Sequence, residues 1–119
     1  MEAINSKGLV YKKYGPVYIL PRRYMNGRLA LTIHGADDGD YVGERIAVIT
    51  VNIPQFPLNA GEILVKSWSE NEGMARWLDE NGIAVDTGGR APSGHVEAHV
   101  MQLLWTHLEE EAPKLEWED

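Results

Sequence analysis

The sequence predicts an α+β fold: an antiparallel sheet of five or six strands with one main α-helix, about 69–81, packed on one face. Three observations predict it. Short runs rich in Val, Ile and Tyr recur between Gly, Pro, Asn and Asp residues, the punctuation of strands and turns. Asn26-Gly27 stands between two of these runs as a hairpin turn. Met74, Trp77 and Leu78 fall at i, i+3 and i+4, which draws one apolar stripe on a helix.

In chain order, Leu9 to Tyr14 and Val17 to Tyr24 read as two strands separated by Gly15-Pro16. Pro21 cannot donate to a ladder, so the second of them belongs at a sheet edge or a bulge. Leu29, Leu31 and Ile33 alternate with Ala30, Thr32 and His34, a half-buried strand with His34 on the outer face. Gly35 to Gly43 is a polar turn with Asp38-Gly39 at its tip. Ile46 to Ile53 is almost entirely β-branched and reads as the central strand. Ile63, Leu64 and Val65 form a buried strand that runs into the helix. Ser69 and Glu72 match a capping box for its start, and Gly82 sits where a left-handed C-cap belongs. Gly88 to Gly94 reads as a loop. Val96 to Leu104 fits a strand or a helix by periodicity, and we take a strand to about residue 104, then a short helical turn ended by Pro113.

Length and composition bound the rest. A chain of 119 residues is read as one domain, 1–119, with a core of its own and an acidic C-terminal tail, 109–119, expected to fray. The absence of cysteine excludes disulfides, a thiol nucleophile and zinc–thiolate sites. No apolar run approaches the ~20 residues that span a bilayer, and the first residues lack the apolar segment of a signal peptide. The expectation is a cytoplasmic protein without a membrane partner. The net charge of −7 is unevenly placed: residues 1–36 hold six bases against one acid, and residues 109–119 hold six acids against one base. That total disfavours long-range attraction to nucleic acid, so direct nucleic-acid binding is not expected. Opposite charge at the two ends can also pair copies as a homodimer.

Several motifs invite chemistry. On a strand, His95, Glu97 and His99 point to one face and could meet a divalent metal; a polar strand face explains them as well. Asp37, Asp38 and Asp40 lie too close together for a calcium loop and suit a hairpin turn. Gly88-Gly89-Arg90 with Ser93-Gly94 could cradle an anion, yet matches no phosphate-binding fingerprint. Glu70, Glu72, Asp79 and Glu80 are explained by helix capping and the helix dipole before acid–base work. Of four tryptophans, Trp77 belongs to the helix stripe, while Trp105 and Trp117 suit an interface.

The blocks Thr50 to Pro54, Pro57-Leu58 and Gly61 to Gly73, followed by Thr87-Gly88 and Pro92-Ser93-Gly94, carry a resemblance. Over roughly residues 45–104 the chain resembles a family of small proteins of unknown function carried by bacterial mobile elements and phages, with Lys66 to Gly73 the most specific part. The resemblance brings no catalytic residue and no cofactor. It implies a setting in which small acidic proteins act by binding, including as inhibitors of host defence.

The reading is therefore a non-enzymatic binding protein without a cofactor that docks on a protein partner. An inhibitor of a host defence complex, anti-CRISPR or anti-restriction, is its specific form. The residues expected at the interface are Asp37, Asp38, Asp40, Trp105, Glu109, Glu110, Glu111 and Trp117. A second reading is a small metal-dependent enzyme using His95, Glu97 and His99. A third is a homo-oligomeric structural accessory protein.

Overall fold

In a computed structural model, residues 8–112 are described, the side chain of Glu111 apart. Pro113, Trp117 and the rest of the acidic tail lie outside the described residues. The fold is α+β, with two antiparallel three-stranded sheets and one main helix. The single sheet of five or six strands expected from the sequence is thus two sheets. The first has the order β1-β2-β3, from β1 (Val17–Arg23), β2 (Leu29–Gly35) and β3 (Arg45–Val48). The second has the order β4-β6-β5, from β4 (Glu62–Val65), β5 (Ala84–Ser93) and β6 (Val96–Leu103). Helix α1 is Met74–Glu80, and a short α2, His107–Glu111, follows β6.

The β1–β2 hairpin forms as its turn chemistry demands, with the Tyr24 N–H donating to the Arg28 carbonyl at 2.8 Å. Pro21 does sit in an edge strand, β1. Val17, Ile19, Leu29, Leu31 and Ile33 turn inward. His34 takes the outer side, stacked on Tyr18 and bonded to Thr32 at 2.9 Å. Leu9 to Tyr14 is not a strand. Val10 makes a lone bridge to Pro16, and Lys12–Tyr14 forms a 3-10 turn. Its first residue, Lys12, has φ +48°, which breaks the extended run.

The run Ile46 to Ile53 is not the central strand either. Its ladder stops at Val48, and β3 is an edge of the first sheet. Thr50 explains the stop: its hydroxyl, not a backbone carbonyl, accepts the Leu31 N–H at 3.1 Å. From there the chain turns to β4, with Val51 N–H donating to Leu64 O at 3.1 Å and Lys66 N–H to Ile49 O at 2.9 Å. The segment is β-branched throughout because it faces two cores in turn: Ala47 and Ile49 enter the main core, and Val51 and Ile53 enter a second one.

That second core lies on the back of the β4-β6-β5 sheet, where Leu64, Ala91, Ala98 and Val100 pack against Ile53, Phe56, Leu58 and Trp68. Consequently β4 and β6 are buried on both faces. This is why Val96 to Leu104 shows no clean period, and the strand reading holds for it.

The helix begins five residues later than the sequence suggests. Ser69–Asn71 is a 3-10 turn with Ser69 at φ +59°, and α1 starts after Gly73 at φ +87°. The capping box does not form. The Glu72 N–H goes to the backbone carbonyl of Ser69 at 3.0 Å, not to its hydroxyl. The hydroxyl that caps α1 is that of Ser67, which accepts the Ala75 N–H at 3.1 Å. At the other end the expectation is met. Gly82 at φ +70° donates to Asp79 O at 3.0 Å and Ile83 to Leu78 O at 2.9 Å, a Schellman motif with both apolar partners fully buried. Met74 and Leu78 are fully buried, and Trp77 packs beside them with its indole N–H on Val10 O at 2.9 Å.

Candidate functional site

The glycine-rich stretch expected as a loop is part of β5. Asp86 pairs with Met101 and Arg90 with His99, so Thr87, Gly88 and Gly89 bulge out opposite Val100. The bulge is held from within: the Thr87 hydroxyl donates to Val100 O at 2.8 Å, Asp86 Oδ1 accepts the Gly88 N–H at 2.9 Å and Thr87 Oγ1 the Gly89 N–H at 3.1 Å. Those two amides therefore have partners inside the strand, and the expected anion cradle is not built. Gly88 stands at φ +92°, which a side chain would strain.

By kinking β5, the bulge carries Asp86 back toward Arg90 and His99. Arg90 grips the Asp86 carboxylate with both terminal nitrogens, at 2.9 and 3.2 Å. His99 donates from Nδ1 to the same carboxylate at 2.9 Å. Burial alone would raise the Asp86 carboxyl, but the bonds from Arg90, His99 and the Gly88 amide outweigh it and hold it at about 2. Since an ionised carboxylate only accepts, Nδ1 of His99 is the donor in this pair.

Arg90 and His99 border an open groove of about 550 Å³ between the start of β6 and the chain after β4. Its lining includes Ser67, Trp68, Arg90, His95, Glu97 and His99. Along β6 the side chains at 97, 99, 101 and 103 share one face. Met101 and Leu103 fill the main core, so the groove is the solvent end of the core-facing side. Trp68 packs on the second core and also walls the groove, with Lys66 Nζ 5.9 Å from its ring centre. Lys66 in turn bonds Glu70 at 2.7 Å, which brings that carboxyl down to about 2.

The three residues weighed as metal ligands are all at this groove but do not form a ligand set. His95 is in the two-residue turn between β5 and β6, after Gly94 at φ +65°, and not on the strand. Glu97 is exposed, and His99 is turned to Asp86. Among the described residues no three His, Asp or Glu side chains are placed to hold a metal ion.

The residues expected at a partner interface are scattered. Asp37, Asp38 and Asp40 are exposed in the turn after β2, next to the Val17 end of β1. Glu109 and Glu110 are on α2, which is fastened to the other end of β1 by Arg23 donating to Glu109 O at 2.6 Å. A seven-residue strand separates the two acidic groups by about 20 Å. Trp105 is half-buried against the main core, its ring 5.6 Å from His107. The side chain of Glu111 and all of Trp117 lie outside the described residues.

A family described as a domain of unknown function (DUF4313) matches residues 21–113. The chain belongs to this family. The DUF4313 match starts at Pro21, so it takes in the end of β1, the turn after it and β2 as well as the stretch from 45 to 104 on which the resemblance was read. Both β5 and β6, the bulge and the groove lie within it. No curated protein and no solved structure matches the chain. Among the described residues no helix is long and apolar enough to cross a membrane.

Sequence reasoning missed Asp86, Trp68 and Asn71. Asp86 looked like one acid among many, and only the bulge brings it to His99, thirteen residues away. The single usable signal was Asp86-Thr87-Gly88, an Asp–x–Gly turn pattern inside a β-rich run.

Proposed function

We propose that this protein is a non-enzymatic binding protein that docks on a protein partner through the groove beside β5 and β6. The observation that carries the reading is the locked array of Asp86, Arg90 and His99 next to the Trp68 wall. Arginine and tryptophan are the side chains on which binding energy concentrates. Arg90 and His99 are already held in place, so little rotamer freedom is lost when a partner arrives. The acidic groups at the two ends of β1 contribute differently. With a net charge of −7 they steer a basic partner and set its approach, as rim charges do.

The finer form of the proposal rests on the sequence resemblance. It is that the protein travels with mobile DNA and inhibits a host defence complex of the anti-CRISPR or anti-restriction kind. The test is capture from host lysate with the wild-type chain, with a Trp68→Ala/Arg90→Ala variant, and with an Asp37→Asn/Asp38→Asn/Asp40→Asn variant. A partner retained by the wild type should be lost from the groove variant, and should bind the acidic-turn variant with a slower, less salt-sensitive association. Equal retention by the groove variant removes this face from consideration.

A further inference from the structure

Two departures from ordinary chain behaviour meet at one place away from the groove. Among the described residues, two non-glycine residues hold positive φ, Lys12 at +48° and Ser69 at +59°. They belong to two turns that touch, with Lys12 Nζ donating to Glu70 O at 3.1 Å. Between them lies a cavity of about 280 Å³ lined by Tyr11, Lys12, Lys13, Tyr14, Ile46, Ala47 and Glu70. Tyr11 is 2% exposed, and its hydroxyl has no hydrogen-bond partner among the described residues. A buried phenol without a partner forgoes a bond that almost every such group makes. Finally, neither Lys12 nor Lys13 is in an ion pair among the described residues: their ammonium groups stand 5.3 Å from the Tyr11 ring centre and 5.6 Å from that of Tyr14. Strained backbone and an orphaned donor are each unfavourable, and they converge on one cavity beside two exposed ammonium groups held by no carboxylate among the described residues, which marks a functional site and not separate accidents.

We propose that this cavity binds a phosphate group, as the free ion or as a small phosphomonoester. The chemistry of the lining selects the class. Tyr11 supplies a hydroxyl donor, and two adjacent ammonium groups supply charge for a compact dianion, the role in which lysine acts as a point charge. The one carboxylate on the rim, Glu70, is paired with Lys66 at 2.7 Å, which offsets its charge. Lys12 reaches the ligand by exchanging the Glu70 carbonyl for a phosphate oxygen. That is a swap of acceptors by an exposed side chain, and it opens the way to the phenol beneath. Ile46 and Ala47 give the apolar wall against which the carbon part of an ester would rest.

The test is an amide NMR titration of the whole chain at fixed ionic strength with inorganic phosphate, glycerol 3-phosphate and acetate as probes. Saturable shifts confined to residues 11–15, 46–47 and 69–71 are expected with both phosphates; the tighter of the two identifies the free ion or the ester as occupant. Tyr11→Phe should keep the fold and weaken phosphate binding about tenfold or more, and Lys12→Met/Lys13→Met should abolish it. Four results overturn the proposal: no saturable shift at roughly 20 mM phosphate, shifts centred on Arg90 and His99, unchanged binding by Tyr11→Phe, or acetate binding as tightly as phosphate. The groove reading stands or falls separately, because none of its residues lines this cavity.

Discussion

Replacing Asn71 with alanine tests how the two sheets and α1 are joined. Asn71 is 1% exposed at the end of the 3-10 turn, and its side-chain amide donates to Val48 O at 2.6 Å and to Lys66 O at 3.1 Å. Those carbonyls end β3 and follow β4, so one side chain ties the last residue of the first sheet's edge to the first residue beyond the second sheet. Alanine removes both bonds and takes a donor from two part-buried carbonyls, at about 1–3 kcal/mol for each such group. One term runs the other way. Asn71 Oδ1 is itself buried without a partner, and its removal returns about 1 kcal/mol. The net loss is therefore about 1–5 kcal/mol, with ~3 kcal/mol as its central value. In urea unfolding, with a slope near ~1.5 kcal/mol/M for a domain of this size, the midpoint should fall by roughly 2 M with the slope unchanged. A loss below about 1 kcal/mol would refute the assignment of Asn71 as the joint, and a changed slope would mean that the native state itself has loosened.

Further outcomes follow from the same geometry. Ser69→Gly should stabilise the fold by about 1 kcal/mol in the same assay, because φ +59° is strained for serine and free for glycine. Arg28→Ala should release the covering of the second core, since Arg28 donates to Ile53 O at 2.7 Å and to Phe56 O; hydrogen exchange should quicken at Val51 and Phe56 with a loss of about 2 kcal/mol, and unchanged exchange there would sink the reading. Acid should act in two windows. Burial, with Arg22 and Arg45 nearby, lowers the His34 pKa, so the unfolded chain takes up a proton first, and stability present above the ordinary 6.5 is lost as pH falls through it. The Asp86 contribution is present above 3.8 and lost as pH falls toward about 2; at a partly exposed site it is below about 1 kcal/mol. His34→Gln should flatten the upper window and Asp86→Asn should weaken the lower one, in which Glu70 also titrates, and a pH profile identical to wild type in either variant contradicts the corresponding assignment.

Sequence alone determined what depends on neighbours along the chain. The β1–β2 hairpin followed from Asn26-Gly27, the edge position of β1 from Pro21, the buried stripe of α1 from Met74, Trp77 and Leu78, and the Schellman end from Gly82, because turn dihedrals, a missing N–H and helical spacing are local properties. Only the tertiary structure decided which of several locally acceptable partners each group would take. Ser69 could have capped α1, but its backbone turned left-handed and Ser67 took the cap. The β-branched run from Ile46 to Ile53 was fit for a central strand, but Thr50 used its hydroxyl for the Leu31 amide and the chain crossed to the other sheet. Gly88 and Gly89 looked like a loop because glycine has no preference of its own, and the strand around them exists only through pairing with β6. The candidate site has the same origin. Asp86, Arg90, His99 and Trp68 come together across strand pairings and a bulge, and long-range pairing of that kind leaves no period in the sequence to read.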